Sequence, residues 1–178
     1  MRKRSLLATG AVLIVSSALL GGPFSAAVGK PPKPLKPPKI DKILEFDTMV
    51  GLPQAFTGTQ IPIRGINGGG LPWAIGGASG ELRVDGHLEI AVSGLVFAGG
   101  PNTGSNTVSS FRAIVSCLRS DGSTENVMTD PFPATTGAAT AGGGNAEIEA
   151  DLTLPQPCIA PILFVANPGG AWFATTGN

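Results

Sequence analysis

The sequence predicts an all-β fold, an antiparallel β-sandwich or partly open barrel of about eight short strands closed by one disulfide. Three observations predict it. Apolar and polar side chains alternate with period two over several segments, the pattern of half-buried strands. Glycine and proline, 26 and 16 of the 178 residues, interrupt almost every stretch in which a helical i, i+3, i+4, i+7 pattern could develop. The two cysteines, Cys117 and Cys158, sit in a chain that opens like an exported one, where an even pair reads as a disulfide.

Residues 1–27 read as a secretory signal peptide. Arg2, Lys3 and Arg4 form a positive start, and Leu6 to Leu20 an apolar stretch. Gly21-Gly22-Pro23 then breaks any helix before the small residues Ser25-Ala26-Ala27, after which cleavage is expected. The alternative is an uncleaved N-terminal anchor, because residues 6–29 carry no charge and are long enough to span a bilayer. No cysteine flanks the leader, which argues against a lipoprotein. The expected location is secreted or cell-surface, with no stable membrane insertion after cleavage.

Residues 28–42 form a Lys/Pro-rich linker. In Lys30-Pro-Pro-Lys-Pro-Leu-Lys-Pro-Pro-Lys39 the prolines fix φ and remove donors, which favours polyproline II and a reach of roughly 30 Å. A solvated spacer and a basic contact with anionic lipid or wall polymer both fit this composition.

Residues 43–178 are expected to form a single β-sandwich domain. At roughly 135 residues, such a domain buries about two-thirds of its unfolded surface and folds alone. From Ile43 onward the chain has four arginines against eleven acids, a net charge of −7. Four scattered arginines offer no positive face for phosphate, so nucleic acid is excluded as a partner.

The clearest hairpin is Glu81 to Val92. Leu82 and Val84 share one face, Asp85-Gly86 signals a two-residue type I′ turn, and Leu88, Ile90 and Val92 return on one face. Phe111 to Leu118 is turned by Ser120-Asp-Gly-Ser123 into Glu125 to Thr129. Ala146 to Leu154 alternates strictly and presents Glu147, Glu149 and Asp151 together. Ile159 to Ala166 is continuously apolar, as in a central strand buried on both faces, and Asn167-Pro-Gly-Gly170 turns it into Ala171 to Thr175. Leu44 to Val50 and Ile61 to Ile66 are further strand candidates. A bond between Cys117 and Cys158 would join two strands distant in sequence and close a loop of about 40 residues, worth ~4 kcal/mol in the chain-entropy model. Two free thiols or a metal pair are the alternatives, although two cysteines and one histidine make a poor zinc site.

The polar clusters carry few signs of chemistry. His87 is the only histidine, and no G-x-S-x-G elbow accompanies it, so it reads as a polar residue beside a turn. Glu147, Glu149 and Asp151 could line a cleft or keep an exposed face soluble. Glu81, Asp85, Glu89 and Arg83 offer further cross-strand options around the hairpin. Paired carboxylates are all that a glycosidase requires. Asp121-Gly-Ser-Thr-Glu125 spaces oxygens as a calcium loop does, but lacks the remaining ligands. The glycine runs at 65–70 and 141–144 precede no helix and cradle no phosphate. Trp73 and Trp172 are the only tryptophans, and tyrosine is absent; Trp73 reads as core packing or as a stacking platform. No metal site and no cofactor are expected, and no catalytic residue is assigned. The absence of lysine beyond Lys42 excludes a Lys–Asn crosslink, and the C-terminal residues show no apolar anchor.

The segments Phe46-Asp-Thr-Met-Val-Gly-Leu-Pro53, Arg64-Gly-Ile-Asn-Gly-Gly-Gly-Leu-Pro-Trp73, Thr129-Asp-Pro-Phe-Pro-Ala134, Pro157-Cys-Ile-Ala-Pro161 and Pro168-Gly-Gly-Ala-Trp-Phe173 resemble an uncharacterised group of exported bacterial β-rich proteins. The resemblance implies a bacterial secreted origin and carries no activity or site residue. The expected function is a non-catalytic secreted or cell-surface binding or structural domain, with an extracellular polymer as partner. The alternative is a small secreted hydrolase that uses paired carboxylates.

Overall fold

In the computed structural model, which describes residues 41–176, fourteen strands follow one another in chain order. They are β1 (Lys42–Phe46), β2 (Val50–Gly51), β3 (Trp73–Ala74), β4 (Gly77–Arg83), β5 (His87–Ser93), β6 (Val96–Phe97) and β7 (Ser105–Asn106), followed by β8 (Ser110–Leu118), β9 (Thr124–Met128), β10 (Phe132–Pro133), β11 (Gly137–Ala138), β12 (Ala146–Asp151), β13 (Ile159–Ala166) and β14 (Trp172–Thr175). Eight of them have four or more residues, and each overlaps a strand expected from the sequence. The expected signal peptide and the linker up to residue 40 lie outside the described residues; Lys42, assigned to the linker by sequence, opens β1. The described residues contain no α-helix, hence none long and apolar enough to cross a membrane.

Two antiparallel sheets account for the architecture, with no closed barrel among the described residues. One has the order β1-β4-β5-β12; the other runs β10-β8-β13-β14-β2, with β9 also paired to β8. The two remaining pairs, β7 with β11 and β3 with β6, are two residues long. Leu82, Leu88, Ile90, Val92 and Ile148 alternate onto the inner face of the four-stranded sheet and are at most 4% exposed. Opposite them, Ala113, Val115, Leu163 and Val165 are wholly buried. Each such leucine, isoleucine or valine side chain contributes about 1.5–3 kcal/mol when removed from water.

β13 is central, between β8 and β14, and its second half is buried on both faces. The outer side of this sheet is covered by the segment from Leu52 to Pro72. Phe56 packs on Trp172 at 6.4 Å between ring centroids, and Trp172 packs on Phe164 at 5.9 Å. Arg64 Nη1 donates to Ser116 O at 2.8 Å, and Asn126 Nδ2 donates to Arg64 O at 3.1 Å. The Cys117–Cys158 disulfide is present, and it links neighbours within one sheet, since Leu118 pairs with Ile159.

Two expectations about turns need correction. The strand expected from Ile61 to Ile66 is only a two-residue turn. Ile63 and Ile66 exchange backbone hydrogen bonds of 3.1 and 2.9 Å around Arg64 and Gly65, whose φ angles of 49° and 78° are both positive. That is the type I′ signature. It is absent at Asp85-Gly86, where only Gly86 has positive φ (93°) and Gly86 N donates to Arg83 O at 3.0 Å. The loop has three residues, Val84, Asp85 and Gly86, in the type I plus glycine-bulge arrangement. Burial explains the choice. A two-residue loop would set Leu82 opposite Glu89; the three-residue loop sets Leu82 opposite Leu88, with both inside. Val84 therefore sits in the turn, 47% exposed, and not on the core face. A Cβ on Gly86 would lie 1.8 Å from Leu152 O, so glycine is required there for space as well as for φ.

Candidate functional site

The register that buries Leu82 against Leu88 also lines up carboxylates on the opposite face. Glu45 pairs with Glu81, Glu81 with Glu89, and Glu89 with Glu149, so one glutamate from each strand forms a continuous row across the four-stranded sheet. Like charges directly opposite on neighbouring strands repel. The adjacent row offsets part of that repulsion, because it places Lys42 opposite Arg83 and His87 opposite Asp151.

A bulge makes this second row possible. The register of β1 shifts between Lys42 and Leu44, so Lys42 and Glu45, three residues apart, reach the same face. Lys42 Nζ pairs with Glu45 at 2.8 Å and with Glu81 at 2.5 Å. Arg83 Nε lies 2.7 Å from Glu81, and its Nη2 lies 3.4 Å from Glu89. His87 Nε2 is 2.8 Å from Glu89, and its Nδ1 is 2.8 Å from Asp151. Hydrogen bonds from Lys42 and Arg83 hold the Glu81 carboxyl below its ordinary range. Hydrogen bonds from His87 to Asp151 and Glu89 raise the imidazole above its ordinary value.

On β12 this pairing reaches Asp151 alone. Among the described residues, Glu147 and Glu149 of β12 make no ion pair, and both are exposed. They form one wall of an open trough of about 790 Å³, whose floor includes Ser79, Gly80 and Ala91 and whose far wall carries Glu45 and Phe46. Gly80 lets β5 and the Phe46 ring close on β4: a Cβ there would meet Glu89 O at 2.2 Å and the Phe46 ring at 2.8 Å.

Of the residues singled out from sequence, Glu147, Glu149 and Asp151 do share this face, as alternation predicted. Trp73 does not join them. It is 3% exposed, stacked on Phe173 with 3.9 Å between centroids and flanked by Phe97 and Phe111. It is core packing, not a stacking platform open to a ligand. Asp121 Oδ1 accepts hydrogen bonds from Ser123 N and Oγ at 2.9 and 2.6 Å, while Glu125 pairs with Arg119 at 2.9 Å. Each acid of the calcium-like spacing is thus engaged within its own hairpin. Sequence reasoning missed Glu45 entirely and did not place Glu81 and Glu89 in one row with Glu149. The available signal was the need to set Leu82 against Leu88, which fixes Glu81 opposite Glu89.

Comparison with known protein families, with curated proteins and with solved structures finds no match.

Proposed function

We propose that the chain is a non-catalytic extracytoplasmic binding domain whose acidic sheet face takes a cationic partner, such as a basic segment of an extracellular polymer. The observation that carries this reading is the uncompensated β12 wall. Glu147 and Glu149 stand open to solvent beside a trough already lined by Glu45, Glu81 and Glu89. Opposed charge on a partner would relieve the repulsion along the row, and electrostatic complementarity of this kind sets specificity and association rate. The disulfide suits an oxidising compartment, and the export-type leader points the same way.

A second reading has one observation in its favour. Glu89 and Glu149 sit directly opposite on neighbouring strands, where Cβ atoms are about 5 Å apart, close enough for the two side chains to bring their carboxyls to the separation used by retaining glycosidases. Against it, both residues are exposed, and a carboxyl acting as general acid needs burial to raise its pKa.

The two readings separate experimentally. Calorimetric titration of the purified protein with a lysine oligomer at low salt should show binding that the double variant Glu147→Gln/Glu149→Gln weakens by about tenfold, a difference of 1.4 kcal/mol. Equal affinity of wild type and variant overturns the binding reading. Glycan or ester turnover that Glu149→Gln or Glu89→Gln abolishes would establish the hydrolase instead.

A further inference from the structure

His87 lies between two carboxylates, and that geometry favours the protonated ring. Nδ1 is 2.8 Å from Asp151 Oδ1 and Nε2 is 2.8 Å from Glu89 Oε1. A neutral imidazole has one N–H and one lone pair, while an ionised carboxylate can only accept. Both contacts are hydrogen bonds only when the ring carries two protons. A neutral ring must turn one lone pair toward a carboxylate oxygen and lose that contact.

We infer that His87 is a protonation-gated clasp between the inner strand β5 and the edge strand β12, closed on Glu89 and Asp151 as the imidazolium and open at Asp151 as the neutral ring. The two contacts are unequal, which decides where the clasp opens. Glu89 Oε1 is also held by Arg83 Nη2 at 3.4 Å, and the Glu89 side chain is 49% exposed. Asp151 is the last residue of β12, its side chain is 87% exposed, and among the described residues His87 is its only ion-pair partner. Water can solvate a released Asp151 fully, so the single remaining N–H stays on Glu89.

Every charged group around the ring enters the balance. Asp151 from β12 and Glu89 from β5 favour the charged ring, whereas Arg83 of β4, opposite His87, disfavours it. Lys42 of β1 stands beyond Arg83 in the same row, and Asp85 in the turn accepts from the His87 backbone N–H at 3.2 Å. The carboxylates prevail, and the imidazole is raised above its ordinary 6.5. A folded value above the unfolded one means that the clasp stabilises fully below 6.5 and that this contribution disappears as pH rises through the folded value. Over that interval the acidic face gains one unit of negative charge and a released carboxylate at the end of β12. These contacts hold whatever the face binds.

The single histidine makes the test clean. Nitrogen-15 NMR of the full chain, titrated with pH, reports both ring nitrogens. The clasp requires both nitrogens protonated at low pH, a midpoint above 6.5, and an Nε2–H tautomer above that midpoint. Asp151→Asn should shift the midpoint down, and the thermal stability difference between wild type and His87→Gln should shrink as pH passes through the wild-type midpoint. A midpoint at or below 6.5, or one that Asp151→Asn leaves in place, overturns the inference.

Discussion

Glu89 and Glu149 face each other across neighbouring strands, yet only Glu89 has cations within reach, Arg83 at 3.4 Å and His87 at 2.8 Å. The glutamate row is therefore balanced at its centre and unbalanced at the β12 edge. Stability has been given up along that edge, since a neutral residue at 149 would meet no repulsion.

Glu149→Gln should accordingly raise the melting temperature by about a few degrees at low salt, the scale of one cross-strand pair. Glu149→Lys should raise it further, because Glu89 gains another cation. Both gains should fade at high ionic strength, where exposed charges are screened. Thermal melts at two salt concentrations check this, and a loss of stability in both variants would contradict it.

Gly86→Ala should destabilise by about 2 kcal/mol or more. The backbone there has φ of 93°, and a methyl group would lie 1.8 Å from Leu152 O. That close approach includes the 3.0 Å hydrogen bond from Leu152 N to Gly86 O, which seats the chain leaving β12 against the β4–β5 turn. Asp85→Ala, which keeps the backbone conformation, should be far milder. Chemical denaturation of the two variants provides the comparison.

Ser116 points the other way. Its Oγ is fully buried and has no hydrogen-bond partner among the described residues. An unsatisfied buried hydroxyl is costly, so Ser116→Ala should be neutral or stabilising by up to about 1 kcal/mol. A loss above about 1 kcal/mol in urea denaturation would show that the hydroxyl is bonded in solution.

Acidification should expose the Glu81 cluster. Lys42 and Arg83 depress the Glu81 carboxyl below its ordinary 4.5. A depressed folded value means a stabilising contribution that is present above 4.5 and is lost as pH falls through the folded value. Between those limits wild type should lose stability faster than Glu81→Gln. Parallel pH-melting curves for the two proteins would contradict the ion-pair assignment.

Much of this fold was legible in the sequence because its strands obey a strict period of two. Ala146-Glu-Ile-Glu-Ala-Asp151 announces both its buried and its exposed faces, and the cysteine pair announces its bond. What could not be read there was set by contacts between distant segments. Asp85-Gly86 carries the local signal of a type I′ turn, but burial of Leu82 on Leu88 overrides it and adds a residue to the loop. Arg64-Gly65 carries no comparable signal. It adopts the type I′ turn while Ser116 O and Asn126 Nδ2 hold it against the outer face of β8 and β9. The glutamate row was hidden for a related reason. Alternation assigns a face to each acid, whereas register decides which acids meet, and register across four strands depends on a bulge at Lys42 and on one loop length.

Backbone amide chemical-shift mapping of the lysine-oligomer titration locates binding residue by residue. Shifts concentrated on Glu45, Glu81, Glu89, Glu147 and Glu149 and their immediate neighbours, lost when Glu147 and Glu149 are replaced by glutamine, are the expected result. Shifts scattered over the other sheet, or a map unchanged by those replacements, would contradict the assignment of the acidic face as the working surface of this protein.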